Sequence, residues 1–137
     1  LYGVIKNVLA ILMGSINSKY QGDSTNAYYL TKVYNYAKDL VTKLGGDSNT
    51  ATCYGALGDI ILTCNSKTSR NYSYGVLLYT DKNEAEVYKN HYTVEGSIAI
   101  KSLEKLLEKN NQASPFLQKL EEYFNGTASL DEVLKLF

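Results

Sequence analysis

The apolar residues of this chain recur mostly with helical spacing. Ala27, Leu30, Tyr34, Ala37, Val41 and Leu44 alternate at intervals of three and four, which lays one stripe along a long helix. Asp23-Ser24 supplies capping side chains at its start, and Gly45-Gly46 ends it. Gly96 to Asn110 predicts a further amphipathic helix, with Ile98, Leu103, Leu106 and Leu107 on its apolar side. Ser114-Pro115 opens another, with proline where no amide partner is needed, and Asn125-Gly126 closes it. Ser129 and Glu132 predict a capping box for a short last helix.

Three segments are more uniformly apolar. "YGVIKNVLAILMG" reads as a helix, with a stripe through Val4, Val8 and Ile11 beside Lys6. "DIILTC" and "YGVLLYT" have the β-branched and aromatic content of buried strands. No other segment alternates or carries a hairpin turn, and a lone strand would leave its backbone groups unpaired. Both are therefore predicted helical, and the fold class is all-α: one multi-helix domain spanning residues 1–137.

Composition narrows the function classes. At 137 residues, 45% hydrophobic and 20% charged, the chain suits a single globular domain with a modest core. A formal net charge of zero argues against a nucleic-acid or anionic-membrane surface. No apolar run reaches membrane-spanning length. The chain starts at Leu1 and reads as a piece of something longer. Cys53 and Cys64 fit no metal spacing and His91 has no companion ligand, so no metal is expected; the thiols read as reduced core residues. Asn71-Tyr72-Ser73 and Asn125-Gly126-Thr127 match the glycosylation sequon, which is frequent by chance in so Asn-rich a chain. Thirteen lysines stand against one arginine, Arg70. Lysine cannot reproduce a forked, planar guanidinium, so the retained arginine is informative.

Three features carry candidate chemistry. Lys6 sits amid apolar neighbours, where a side chain loses hydration and is suited to exchanging protons; the alternative is a lysine whose stem packs while its head reaches water. Asp59 interrupts the apolar run "GALGDIILTC", and a buried carboxylate needs a cation or several donors. It could instead cap a helix after Gly58. One acid and one base of this kind in one small domain are natural partners, and the pair is expected to be within direct or water-bridged reach. Third, "SKTSRN" puts Ser69 at a helix N-cap, where free amides favour phosphate, and Arg70 adds a bidentate fork. The alternative there is a surface arginine with a glutamate partner.

"IKNVLAILMG", "GDSTNAYYLTKV", "GALGDIILTCNSKTSRNYSYG" and "TVEG" follow one another in this order. Together they resemble the C-terminal, substrate-binding half of bacterial-type NAD(P)-dependent glycerol-3-phosphate dehydrogenase, over essentially the whole chain. The spacings between Lys6, Asp59, Arg70 and Glu95 match that pattern without gaps. The resemblance implies a helical domain like the C-terminal domains of 6-phosphogluconate dehydrogenase-like enzymes. It implies that Lys6 donates or accepts the proton of the substrate's secondary hydroxyl, and that Asp59 binds substrate and orients Lys6. It implies further that Asn7, Thr63, Ser69, Arg70 and Asn71 hold glycerol 3-phosphate or dihydroxyacetone phosphate. Arg70, Thr93 and Glu95 then face NAD or NADP. No G-x-G-x-x-G stretch is present, so the main dinucleotide-binding half is expected outside this chain. A cytoplasmic homodimer is also implied. The competing expectation is a non-catalytic helical interaction or dimerisation module that shares only the fold.

Overall fold

The computed structural model describes residues 1–47, 49 and 54–137. Among them there are eight α-helices and no strand: α1 (Tyr2–Lys19), α2 (Asp23–Lys43), α3 (Asp59–Asn65), α4 (Arg70–Thr80), α5 (Lys82–His91), α6 (Glu95–Lys109), α7 (Pro115–Phe124) and α8 (Leu130–Leu134). A π-helical turn, Tyr54–Gly58, runs directly into α3. Both strand-like segments are helical, "DIILTC" in α3 and "YGVLLYT" in α4. Cys53 lies outside the described residues.

A helix that is apolar all round has to be surrounded, and α1 is. Ile5 and every residue from Val8 to Ile16 are buried, and α2, α3, α4 and α6 pack around them. Val4, placed in the same stripe from the sequence, is 41% exposed, whereas Ile5 beside it is buried. The contact with α4 is the tightest. A Cβ on Gly14 would collide with the Tyr72 carbonyl oxygen, and one on Gly75 with that of Ile11. Neither position tolerates a side chain unless the helices separate, and interiors are too densely packed for that to be free of cost. A buried polar chain runs along the same contact. The Ser15 hydroxyl donates to the Gly75 carbonyl at 2.6 Å, and Tyr123 of α7 donates to Ser15 Oγ at 2.9 Å. Burial pushes the Tyr123 phenol up to about 12, although its bond to Ser15 pulls the other way.

The peripheral helices follow their local signals with some corrections. In α2 the stripe is buried at Ala37 and Val41, half-buried at Leu30, Tyr34 and Leu44, and joined by buried Val33 and Leu40, whereas Ala27 is exposed. The cap is Gly22, at φ +126, a backbone state open to glycine, rather than Asp23 or Ser24. In α6 the buried face is Gly96, Ile100, Leu103 and Leu107; Ile98 and Leu106 point away from the core. Ser114 caps α7, accepting from the Leu117 amide at 3.1 Å, and Gly126 follows its end at φ +83. Ser129 caps α8 by accepting from the Glu132 amide at 3.2 Å. The Glu132 carboxylate returns to the Ser129 hydroxyl at 3.4 Å, a variant of the reciprocal box.

An acid pair joins α6 to α7. Glu104 Oε1 and Glu121 Oε2 are both shut off from solvent without a donor. Burial, then the charges of Glu121 and Glu108, raise the Glu104 carboxyl above its ordinary 4.5, while Lys101 acts in the opposite direction. Tyr36 of α2 faces the same carboxyl, and its phenol is pushed up to about 12, mostly by burial. Because Glu104 binds its proton more tightly folded than unfolded, its stabilising contribution is complete below 4.5. That contribution is lost as pH rises through the elevated folded value. Glu104→Gln, which stays neutral, is therefore expected to raise the urea midpoint relative to the parent at about pH 7 and to change it less at about pH 4. An equal difference at both pH values would contradict the assignment.

Candidate active site

Lys6 and Asn7 are adjacent on α1, so their side chains leave the helix about 100° apart and meet different neighbours. Lys6 Nζ turns toward α3 and forms an ion pair with Asp59 Oδ2. The two side chains are 22% and 29% exposed. Asp59 is not a cap: Gly58 before it is already helical, at φ −62 and ψ −42, because the π turn delivers the chain into α3 without a break. Asp59 opens α3 directly after that turn, and its carboxylate meets α1 at Lys6. A pair this close to solvent contributes on the order of 0–1 kcal/mol to stability. The pair therefore adds little to the fold, and it lies beside open surface. Cys64 lies behind the pair on α3, fully buried; burial above all pushes its thiol up to about 12, so it is a core thiol rather than a nucleophile.

Asn7 turns the other way, toward α6. Its Nδ2 donates to Glu95 Oε2 at 3.0 Å. Glu95 is the first residue of α6, and Gly96 follows it because a Cβ there would sit 2.5 Å from the Asn7 carbonyl oxygen. The Gly96 amide donates to Asn71 Oδ1 at 2.8 Å, and Asn71 is only 8% exposed. The starts of α4 and α6 are thereby tied to the flank of α1 that carries Lys6 and Asn7.

The remaining expected site residues fall around this junction. Ser69 caps α4, accepting from the Tyr72 amide at 3.3 Å. Arg70, the next residue, is exposed, and its guanidinium lies over the Tyr92 ring, 5.2 Å from the centroid. Among the described residues it has no carboxylate partner within ion-pair distance. The picture of an arginine held by a surface glutamate does not apply. Thr63 is half-buried on α3 four residues beyond Asp59, one turn along the same face. Thr93 is exposed in the short link between α5 and α6. Tyr92 and Gly96 were not singled out from the sequence. Gly96 had a readable signal, a glycine opening an otherwise regular helix; Tyr92 had none.

A cleft of about 540 Å³ lies elsewhere, between the C-terminal end of α1 and α4, lined by Asn17, Lys67, Tyr72 and Leu77 among others. Asn17 is eleven residues from Lys6 along one helix, about 16 Å, so this cleft is separate from the ion pair. Among the described residues no three His, Cys, Asp or Glu side chains gather to hold a metal. Among them, too, no helix is long and apolar enough to cross a membrane.

Comparison with known proteins shows the family of the chain. Residues 1–135 match the family model described as NAD-dependent glycerol-3-phosphate dehydrogenase C-terminus. A glycerol-3-phosphate dehydrogenase [NAD(P)+] of Parvibaculum lavamentivorans is 33% identical over 96% of this chain and 40% of its own length. Its namesake in Malacoplasma penetrans is 30% identical over 98% of this chain and 40% of its own length. The crystal structure of glycerol-3-phosphate dehydrogenase from Coxiella burnetii superposes with a TM-score of 0.83 at 26% identity, covering 98% of this chain and 42% of that one. The chain thus spans about two fifths of the length of the curated relatives it matches.

Proposed function

The chain belongs to the family of NAD-dependent glycerol-3-phosphate dehydrogenase C-termini, and from that premise we propose that it forms the substrate-binding and catalytic half of such an enzyme. The reaction is the interconversion of dihydroxyacetone phosphate and glycerol 3-phosphate. The observation that carries this reading is the Lys6–Asp59 pair, a base and an acid brought together across 53 residues of sequence at the edge of open surface.

A bound nicotinamide dinucleotide, NAD or NADP, supplies or takes the hydride. This chain's residues do the rest. In carbonyl reduction Lys6 Nζ donates a hydrogen bond to the carbonyl oxygen and gives its proton to the alkoxide as it forms; in the reverse direction it removes the hydroxyl proton. Asp59 fixes the direction in which Nζ points. Asn7 follows Lys6 on α1 with its side chain turned to Glu95, and Thr63 follows one turn beyond Asp59. Arg70 presents its fork to the phosphate. Ser69 fixes the turn before it, and Asn71, whose Oδ1 accepts from the Gly96 amide, has its Nδ2 donors left for substrate. Arg70, Thr93 and Glu95 are all exposed, which fits an edge contact to a dinucleotide held mainly by another domain. Exposed Leu1, Val4, Ile61 and Leu62 sit close in sequence to Lys6 and Asp59 and suit a surface on which that domain rests.

Two preparations test this proposal. The chain alone is expected to give no NADH oxidation with dihydroxyacetone phosphate. Joined to the dinucleotide-binding domain of a relative, it is expected to give oxidation that requires that substrate. A well-folded joined protein without such activity would reject the proposal in favour of a non-catalytic helical module.

A further inference from the structure

We propose that Tyr92 is a positioning residue that holds the Arg70 guanidinium in place for the phosphate of the substrate, an inference that rests on the proposed phosphate-binding role of Arg70. Arg70 is an exposed, long side chain that must present one geometry to a ligand. A carboxylate partner would hold it, but would occupy the N–H fork that has to receive phosphate oxygens. An aromatic face holds it differently: the ring contacts the flat face of the guanidinium and leaves the in-plane donors free. The structure sets an aromatic ring rather than a carboxylate beneath the guanidinium, with Arg70 Cζ 5.2 Å from the Tyr92 centroid.

The ring is itself braced. The Tyr92 amide donates to the Tyr88 carbonyl at 2.8 Å, which closes α5 and fixes the backbone beneath the ring. The Tyr88 ring lies 4.8 Å from it at 46°, and the His91 ring 4.5 Å from it edge-on at 87°. Tyr92 then leads directly into Thr93 and Glu95. The platform therefore ties the phosphate grip to the segment carrying the expected cofactor contacts, and the starts of α4 and α6 keep one register.

The test is a cycle of variants in the full-length enzyme, reading kcat and KM for dihydroxyacetone phosphate. Tyr92→Leu is expected to lower kcat/KM by roughly two- to fivefold, the size of an exposed cation–π contact, with the loss in KM rather than kcat. Tyr92→Phe keeps the ring face and is expected to behave as the parent. In an Arg70→Ala background, Tyr92→Leu is expected to cost nothing more. Tyr92 is 40% exposed, so an unchanged melting temperature should accompany these results. An equal loss in both backgrounds would make the ring a structural support and overturn the inference. So would parent-like kinetics for Tyr92→Leu while Arg70→Ala is impaired, with the role of Arg70 left standing. Parent-like kinetics for Arg70→Ala would remove both.

Discussion

Lys6→Met in the full-length enzyme is expected to lower kcat for dihydroxyacetone phosphate reduction by about 10²–10⁴-fold, the usual span for a lost general acid. Binding of the substrate should change far less. In the proposed mechanism the proton is needed where charge develops on the oxygen, in the transition state, and the ground state has little use for it. Methionine matches the length of the lysine stem, so packing along α1 is preserved. The bond to Asp59 is lost, but both side chains are partly exposed, and such a pair adds on the order of 0–1 kcal/mol to stability. The variant should therefore fold. Steady-state turnover paired with an equilibrium titration of substrate separates the two effects. Near-parental turnover would remove Lys6 from the mechanism.

Arg70→Lys is expected to be nearly as informative. The charge is kept and the fork is lost. Ammonium acts as a point charge, whereas guanidinium holds two phosphate oxygens at once. One charge-assisted hydrogen bond is worth roughly 1.5–3 kcal/mol, which corresponds to about a ten- to hundredfold fall in kcat/KM for dihydroxyacetone phosphate. The fall should shrink for dihydroxyacetone, which lacks the phosphate. Comparing the two substrates in the same variant makes the measurement. Equal losses on both would assign Arg70 to the cofactor or the fold, and no loss on either would make it an ordinary surface residue.

Local signals in the sequence were sufficient for α7 and α8. The Ser114-Pro115 start, the Asn125-Gly126 end and the Ser129 cap each depend on neighbours within a few residues, and each forms as the sequence indicates. Facing was less legible. Ile98 and Leu106 are as apolar as Ile100 and Leu103, and only the positions of α1, α4 and α7 decide which side of α6 is covered. Ala27 sits on the α2 stripe but too near the open end of the helix to be buried. The meeting of Lys6 with Asp59 followed from chemical complementarity and family resemblance; spacing cannot report a contact made across 53 residues. The π turn that precedes Asp59 leaves no mark in composition. The contact of the Arg70 cation with the Tyr92 ring joins two helix ends and depends wholly on how α4 and α5 pack.

The most direct test is a crystal structure of the full-length enzyme with dihydroxyacetone phosphate bound. The account predicts the carbonyl oxygen about 2.7–3.2 Å from Lys6 Nζ, hydrogen-bond distance, with Asp59 still paired to the lysine and the phosphate at the Arg70 guanidinium. Substrate seated instead in the cleft of Asn17, Lys67 and Tyr72, with Lys6 facing no ligand, would contradict it.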